Sequence, residues 1–203
     1  MVPKVNIRGY TIQETEATAL LIRLQLYPEL FEHCLRVANF AVEIARDMGL
    51  PNQIQEEVRI TGLFHDVGKV VIPQEVFLKK ELTSEEWELI KTHSQQGADL
   101  TEESKFLRNF SIFILYHHER LDGSGYPEGL MKEKIPLISR IIAVADSFDA
   151  MISYRPYRNQ SFSITQSIYD LKNLSDNKYD PRIIETLERI SQKHLTRLLM
   201  CLF

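Results

Sequence analysis

Two cysteines, one tryptophan and no long apolar run set the first limits on this chain of 203 residues. Cys34 and Cys201 do not suggest a disulfide scaffold and fit a reducing compartment. Cys201 stands third from the end, which does not match the C-a-a-X prenylation pattern. No stretch approaches the ~20 apolar residues needed to span a bilayer. Residues 1–8 are too polar for a signal peptide, so a cytoplasmic location is expected. Positive charge is also scarce: 24 Lys and Arg against 28 Asp and Glu leave a net charge of −4. Without a basic stripe, binding to nucleic acid through its phosphates is disfavoured. An anionic small molecule would need bound cations to supply the positive field. Equally missing are an alternating strand pattern of useful length, an internal repeat and a low-complexity linker. A single all-α domain is the economical expectation.

What the chain does have is helical periodicity. Residues 1–10 read as a loose lead-in, and 11–27 as a helix carrying Ala17, Leu20, Leu21 and Leu24, ended near Pro28. Over about 29–48, Val37, Phe40, Ala41, Ile44, Ala45 and Met48 recur at spacings of three and four, with His33 on the same stripe. Glu29 lies one turn before His33, unusual for a carboxylate unless it has a partner. A third helix over 51–66 puts His65 and Asp66 in its last turn, where the helix dipole favours a cation. Lys69 follows, readable either as an ordinary helix-end lysine or as a catalytic group. Thr83-Ser84-Glu85-Glu86 is a capping box opening a helix with Trp87 and Ile90, and His93 falls at the edge of its apolar face. An apolar helix over 106–118 ends in His117-His118, and 119–135 form a glycine-rich loop. Leu137, Ile141, Val144, Ala145, Phe148 and Ile152 make the next core stripe, with Asp146 and Asp149 together on a neighbouring face. Helices at 163–174 and 181–199 close the chain, and the apolar tail 198–203 docks on the domain or on a second copy.

Five of the six histidines, all but His194, thus sit at or near buried faces. Uncompensated, they would carry a heavy desolvation cost. Metal ligation resolves that cost, with Asp66 and Asp146 balancing the cation charge. Mixed imidazole and carboxylate ligands suit Fe, Mn or Zn better than Mg or Ca. The ligand number exceeds one tetrahedral zinc and matches at least two ions, with Asp66 the natural bridge. A pair of ions can activate a bridging hydroxide for in-line displacement at phosphorus. No G-x-S-x-G elbow and no P-loop offers a rival chemistry.

His65-Asp66-Val67-Gly68-Lys69, together with His117-His118-Glu119 leading into Asp122-Gly123-Ser124-Gly125-Tyr126-Pro127, closely resembles the HD-GYP family. These are bacterial metal-dependent phosphodiesterases of the HD superfamily that hydrolyse cyclic di-GMP. The resemblance extends through Ala145-Asp146-Ser147-Phe148-Asp149-Ala150-Met151 and Arg155-Pro156-Tyr157-Arg158 and covers about residues 28–195. It implies an HD-superfamily helical bundle with a multinuclear metal site in its core. The expected divisions are a lead-in and helix at 1–27, a catalytic domain at 28–198 and an apolar tail at 199–203. By the resemblance, His33, His65, Asp66, His93, His117, His118 and Asp146 are metal ligands, and Glu29 helps hold a third ion. Asp66 and Lys69 serve catalysis, while Lys69, Tyr126, Arg155 and Arg158 meet the substrate.

The implied cofactors are two or three divalent transition-metal ions, Fe or Mn first, with Zn, Ni or Co as alternatives. The implied reaction is attack of a metal-bridging hydroxide on cyclic di-GMP, giving pGpG and, with a third ion, GMP. Another cyclic dinucleotide such as cyclic GMP-AMP, a nucleotide substrate, or a non-catalytic cyclic di-GMP-binding module are the alternatives. Further partners to consider are a homodimer and a diguanylate cyclase or other signalling protein, with no nucleic acid and no membrane span. The chain departs from the family at residues 76–82, where a Lys-Pro-Gly type of turn is usual, and at Ser175-Asp176-Asn177, where glycine is common.

Overall fold

The bundle is organised around one long helix with two buried faces. A computed structural model describes residues 5–7, 10–12, 15–77, 79, 81–153, 161–173 and 177–201. Helix α1 spans Thr15–Gln25, α2 Pro28–Asp47 and α3 Asn52–Phe64. Helix α2 opens with Pro28, whose missing N–H would have had no helical partner at that position. It stops where Gly49 takes φ 71°, with Gly49 N–H donating to Arg46 O and Leu50 N–H to Ala45 O. That pair of bonds is a Schellman closure, which a left-handed glycine permits.

After α3 the chain forms a 3-10 turn over Val67–Val71 and the short helix α4, Gln74–Phe77. Helix α5, Ser84–Lys91, and α6, His93–Glu102, follow, then a 3-10 turn at Arg108–Phe110 and α7, Ser111–Leu115. Helix α8 spans Leu137–Ile152, α9 Ile164–Asn173, α10 Pro181–Lys193 and α11 Leu195–Met200. One face of α2, with Val37, Phe40, Ala41, Ile44 and Ala45, packs in a core with Ile141, Val144 and Phe148 of α8 and Ile183, Leu187 and Ile190 of α10. Phe40 and Phe148 meet edge to face at 5.2 Å. The other face, with Phe31, Cys34, Leu35 and Ala38, closes on α1 and on Leu63 and Phe64 of α3. Each large side chain so buried contributes roughly 1.5–3 kcal/mol. Helices α2 and α3 touch closely because Gly62 lies against Ala38; a Cβ on Gly62 would stand 2.6 Å from Ala38 Cα. His33 precedes Ala38 on α2 and His65 follows Gly62, so this close approach brings the two helices together near the rings, whose centroids are 5.3 Å apart.

The structure corrects several sequence expectations. Across the lead-in and the first residues expected to be helical, Val5–Ile7 and Tyr10–Ile12 pair as a short antiparallel hairpin, and α1 begins at Thr15 instead of residue 11. Three-residue strands are too short to show alternation. Helix α3 ends at Phe64, so His65 and Asp66 lie in the turn beyond it. The helix opened by Thr83 breaks at Thr92, and His93 starts a new one. The expected box is present, with Thr83 Oγ1 accepting from Glu86 N and Glu86 accepting from Thr83 N. Trp87, on what the sequence marks as the apolar face of this helix, is 50% exposed, since α5 buries none of its side chains. The apolar helix expected over 106–118 is only the 3-10 turn plus α7. The last helix is interrupted at His194, after which Leu198 and Cys201 fold back into the core.

Candidate metal centre

Three of the site histidines share one device. His65, His93 and His117 each donate from Nδ1 to the carbonyl three residues upstream, on Gly62, Ile90 and Ile114, at 2.7, 2.7 and 2.6 Å. Each stands just past the end of a helix, where the last turn's carbonyls have no amide partner in the helix. The bond fixes the proton on Nδ1 and turns the Nε2 lone pair inward. His33, inside α2, is held differently: its Nδ1 lies 2.7 Å from Asp149 Oδ2. Asp149 is fully buried and is gripped in turn by the Arg36 guanidinium, at 2.6 and 3.1 Å, and by Ser153 Oγ.

These rings converge on Asp66, which is buried. Its Oδ2 lies 3.5 Å from Nε2 of both His33 and His65, and its Oδ1 lies 3.2 Å from His93 Nε2 and 3.9 Å from His117 Nε2. One carboxylate therefore stands between two ligand groups. Asp146 completes the first, with Oδ1 3.2 Å from His33 Nε2 and 4.0 Å from His65 Nε2. His118 completes the second; His93 Nε2 is 3.1 Å from His118 Nε2 and 3.3 Å from His117 Nε2. With Nδ1 of His93 and His117 each turned to a backbone carbonyl, the nitrogens that face one another are both Nε2. Ligand nitrogens about 2.1 Å from one ion stand ~3.0–3.4 Å apart for right-angled to tetrahedral arrangements, and these separations match. His65 Nε2 and Asp66 Oδ1 are buried with no hydrogen-bond partner, an orphaning that a cation would relieve. The residues present fit a pair of divalent ions.

The local electrostatics agree. Burial pushes the Asp66 carboxyl up, but Lys69, His65, His33 and His93 outweigh it and hold it well below the usual range. Burial also opposes charge on Lys69, yet Asp66 and Asp146 raise its pKa, and Nζ donates to Asp66 Oδ2 at 2.6 Å. Burial, reinforced by neighbouring imidazoles, drives His117 and His118 well below the ordinary histidine value. They stay neutral, as ligands must. Burial likewise disfavours charge on His33, but its bonds to Asp146, Asp149 and Asp66 prevail and raise it to about 10. A bound cation would displace that proton.

The remaining candidates fall in different places. Glu29 is exposed, one turn before His33, and among the described residues lies outside both ligand groups. Tyr126 stacks on His118, ring centroids 4.7 Å apart. Arg155 and Arg158 lie outside the described residues. Two supporting interactions escaped sequence reasoning. The sequence places Asp149 beside Asp146, but its partner Arg36 lies 113 residues away and shares no local pattern with it. Glu119 is buried, and its carboxylate accepts from the Glu128 and Leu130 amides at 2.8 and 2.9 Å, tying back the glycine-rich loop. The only signal for it was its position directly after the histidine pair.

Comparison with known proteins agrees with this geometry. The family model described as "HD domain" matches residues 19–183. A cyclic di-GMP phosphodiesterase of Thermotoga maritima is 37% identical over 81% of this chain and 45% of its own length. A 3'3'-cGAMP-specific phosphodiesterase of Vibrio cholerae is 36% identical over 81% of this chain and 38% of its own. The chain thus spans less than half the length of these curated relatives. Among solved structures, a cyclic GMP-AMP-specific phosphodiesterase of V. cholerae superposes with a TM-score of 0.65 at 25% identity, over 92% of this chain and 49% of that one. With the family model matched across most of its length and both signature motifs at the cluster, this chain belongs to the HD domain family, in its HD-GYP branch.

Proposed function

We propose that this chain is a metal-dependent phosphodiesterase that hydrolyses cyclic di-GMP to pGpG, and on to GMP where a third ion binds near Glu29. The observation that carries the reading is the single Asp66 carboxylate with one oxygen toward each histidine group. His33, His65, Asp66 and Asp146 would hold one ion, and Asp66, His93, His117 and His118 the other. When bound, such a pair lowers the pKa of water and neutralises charge developing on a phosphoryl group. It also supplies the positive field that a chain of net charge −4 lacks.

The chain's own groups divide the remaining work. Asp66, kept anionic by its surroundings, remains a ligand and no proton donor. Lys69, charged and only partly buried at the edge of the cluster, is placed to donate to a phosphate oxygen or to the leaving oxygen. Arg155 and Arg158 are proposed to fork onto the substrate's phosphates or guanines, a task suited to guanidinium. Tyr126 and Pro127 shape the loop over the site. Fe or Mn is the proposed resident metal, in keeping with nitrogen and oxygen donors. Among the described residues no helix is long and apolar enough to cross a membrane, and a cytoplasmic setting is proposed.

Cyclic GMP-AMP is the competing substrate, since a relative of similar identity carries that specificity in its name. Turnover of purified, metal-loaded protein on cyclic di-GMP, cyclic GMP-AMP and cyclic di-AMP decides between them, with cyclic di-GMP expected to be fastest. Asp66→Ala and His118→Ala should each abolish turnover, and activity retained in both rejects the assigned site. Tight binding without hydrolysis under anaerobic Fe or Mn loading would instead favour a receptor. Elemental analysis of protein purified without air identifies the metal.

A further inference from the structure

We infer that Tyr126 is a positioning residue for a metal ligand, its ring fixing the orientation of the His118 imidazole. The inference rests on the reading that the cluster binds divalent metal. Four of the five cluster histidines have Nδ1 tied to a fixed acceptor: His33 to Asp149, and His65, His93 and His117 to backbone carbonyls. His118 differs. Its ring meets His93 through Nε2, and among the described residues its Nδ1 has no acceptor. Without such a bond, neither its tautomer nor its ring torsion is set by hydrogen bonding.

Ring contacts take over that task. The His118 ring is flanked by His117, at 4.0 Å and 43°, and by Tyr126, at 4.7 Å and 31°, with His93 edge-on at 4.9 Å. Tyr126 is in turn held from its own backbone, its N–H donating to His118 O at 3.3 Å. The preceding residue must be glycine for the loop to come so near. A Cβ on Gly125 would stand 2.4 Å from both Arg120 N and Glu119 Cα, and 2.5 Å from His118 O. The far side of the loop is fastened by Glu119, which accepts from the Glu128 and Leu130 amides. The chain thus leaves His118, turns, and lays an aromatic face against the ligand it has just supplied. Stacking needs the flat ring and not the hydroxyl.

The test is equilibrium binding of Co²⁺, followed by its visible absorption, to the full chain and its variants. Tyr126→Phe should match the parent. Tyr126→Leu should weaken one of two sites by roughly 10-fold or more, the usual effect of removing a ligand's support, and should alter the absorption bands. Tyr126→Met keeps bulk without a flat ring and stands in if the leucine variant does not fold. In a His118→Ala background, losing the tyrosine ring should weaken binding no further. The inference is overturned if the non-aromatic variants bind Co²⁺ with parental affinity and spectrum, or if the two losses add. Should the parent itself take up no Co²⁺, the metal reading falls along with it, a result readily told apart from the other two.

Discussion

Gly68→Ala is the sharpest small perturbation this architecture allows. Gly68 sits in the 3-10 turn between Asp66 and Lys69, backed directly onto α6. A Cβ there would lie 2.0 Å from His93 O, 2.6 Å from Gly97 N and 2.9 Å from His93 C, all backbone atoms that cannot rotate away. Relieving the overlap demands that the turn and α6 separate by about 1 Å, given ordinary nonbonded contact distances. Those two segments carry Asp66 and His93, whose facing atoms are 3.2 Å apart. Ligand distances in metal sites tolerate only about 0.2 Å, so the shift exceeds what the second ligand group can absorb. Overpacking alone should cost ~1–3 kcal/mol of stability, and a 1 Å misplacement costs on the order of 100-fold in rate. The variant should therefore bind about one ion fewer and turn over at about 1% of the parental rate, measured by elemental analysis and product chromatography. Gly49→Ala is the control. It carries φ 71° with nothing within 4 Å, so it should lose ~1–2 kcal/mol through backbone strain while keeping its metal. Gly68→Ala with full metal content and full turnover would refute the claim that this close approach sets the ligand geometry.

Three further outcomes are expected. Asp149→Asn removes the anionic partner of both His33 and Arg36, so metal affinity should drop roughly 10- to 100-fold in competition with a chromophoric chelator. Glu119→Ala leaves the Glu128 and Leu130 amides without their acceptor. At roughly 1.5–3 kcal/mol for each bond to a charged group, urea midpoints should fall clearly, and amide exchange at those two residues should accelerate. Burial raises the Asp180 carboxyl, but Arg182 and then Arg140 outweigh it and depress its pKa. Its contribution is complete above the unfolded value of about 3.9 and is lost as pH falls through the lower folded value. The gap in urea stability between the parent and Asp180→Asn should accordingly be constant near neutrality and close in that acid window.

Much of the histidine and aspartate cluster was legible in the sequence because polar residues on apolar faces betray themselves as misfits. His33 interrupts an otherwise apolar stripe, and His117-His118 end an apolar run. The capping box at Thr83 was readable because its two bonds are local. Helix ends were less so. Ile54, Val58, Thr61 and His65 keep spacings of three and four past the point where α3 stops, since periodicity reports where side chains face and not whether the next amide still bonds. Trp87 misled for the converse reason, as a large indole implies burial only if another element comes to cover it. The partnership of Asp149 with Arg36, and of Glu119 with amides nine and eleven residues ahead, depends on how distant segments pack, and no local pattern encodes it.

The main-chain tethers on His65, His93 and His117 carry a consequence for tolerance to mutation. A tether made by a carbonyl is present whatever side chain that residue bears, so replacing Ile90 or Ile114 leaves the anchoring oxygen where it was. Only a change that bends the helix end removes it. Three of the candidate ligands are thereby insulated from drift in the surrounding sequence. His33 and His118 instead meet the side chains of Asp149 and Tyr126, and at those two positions a single substitution would reach the proposed metal site.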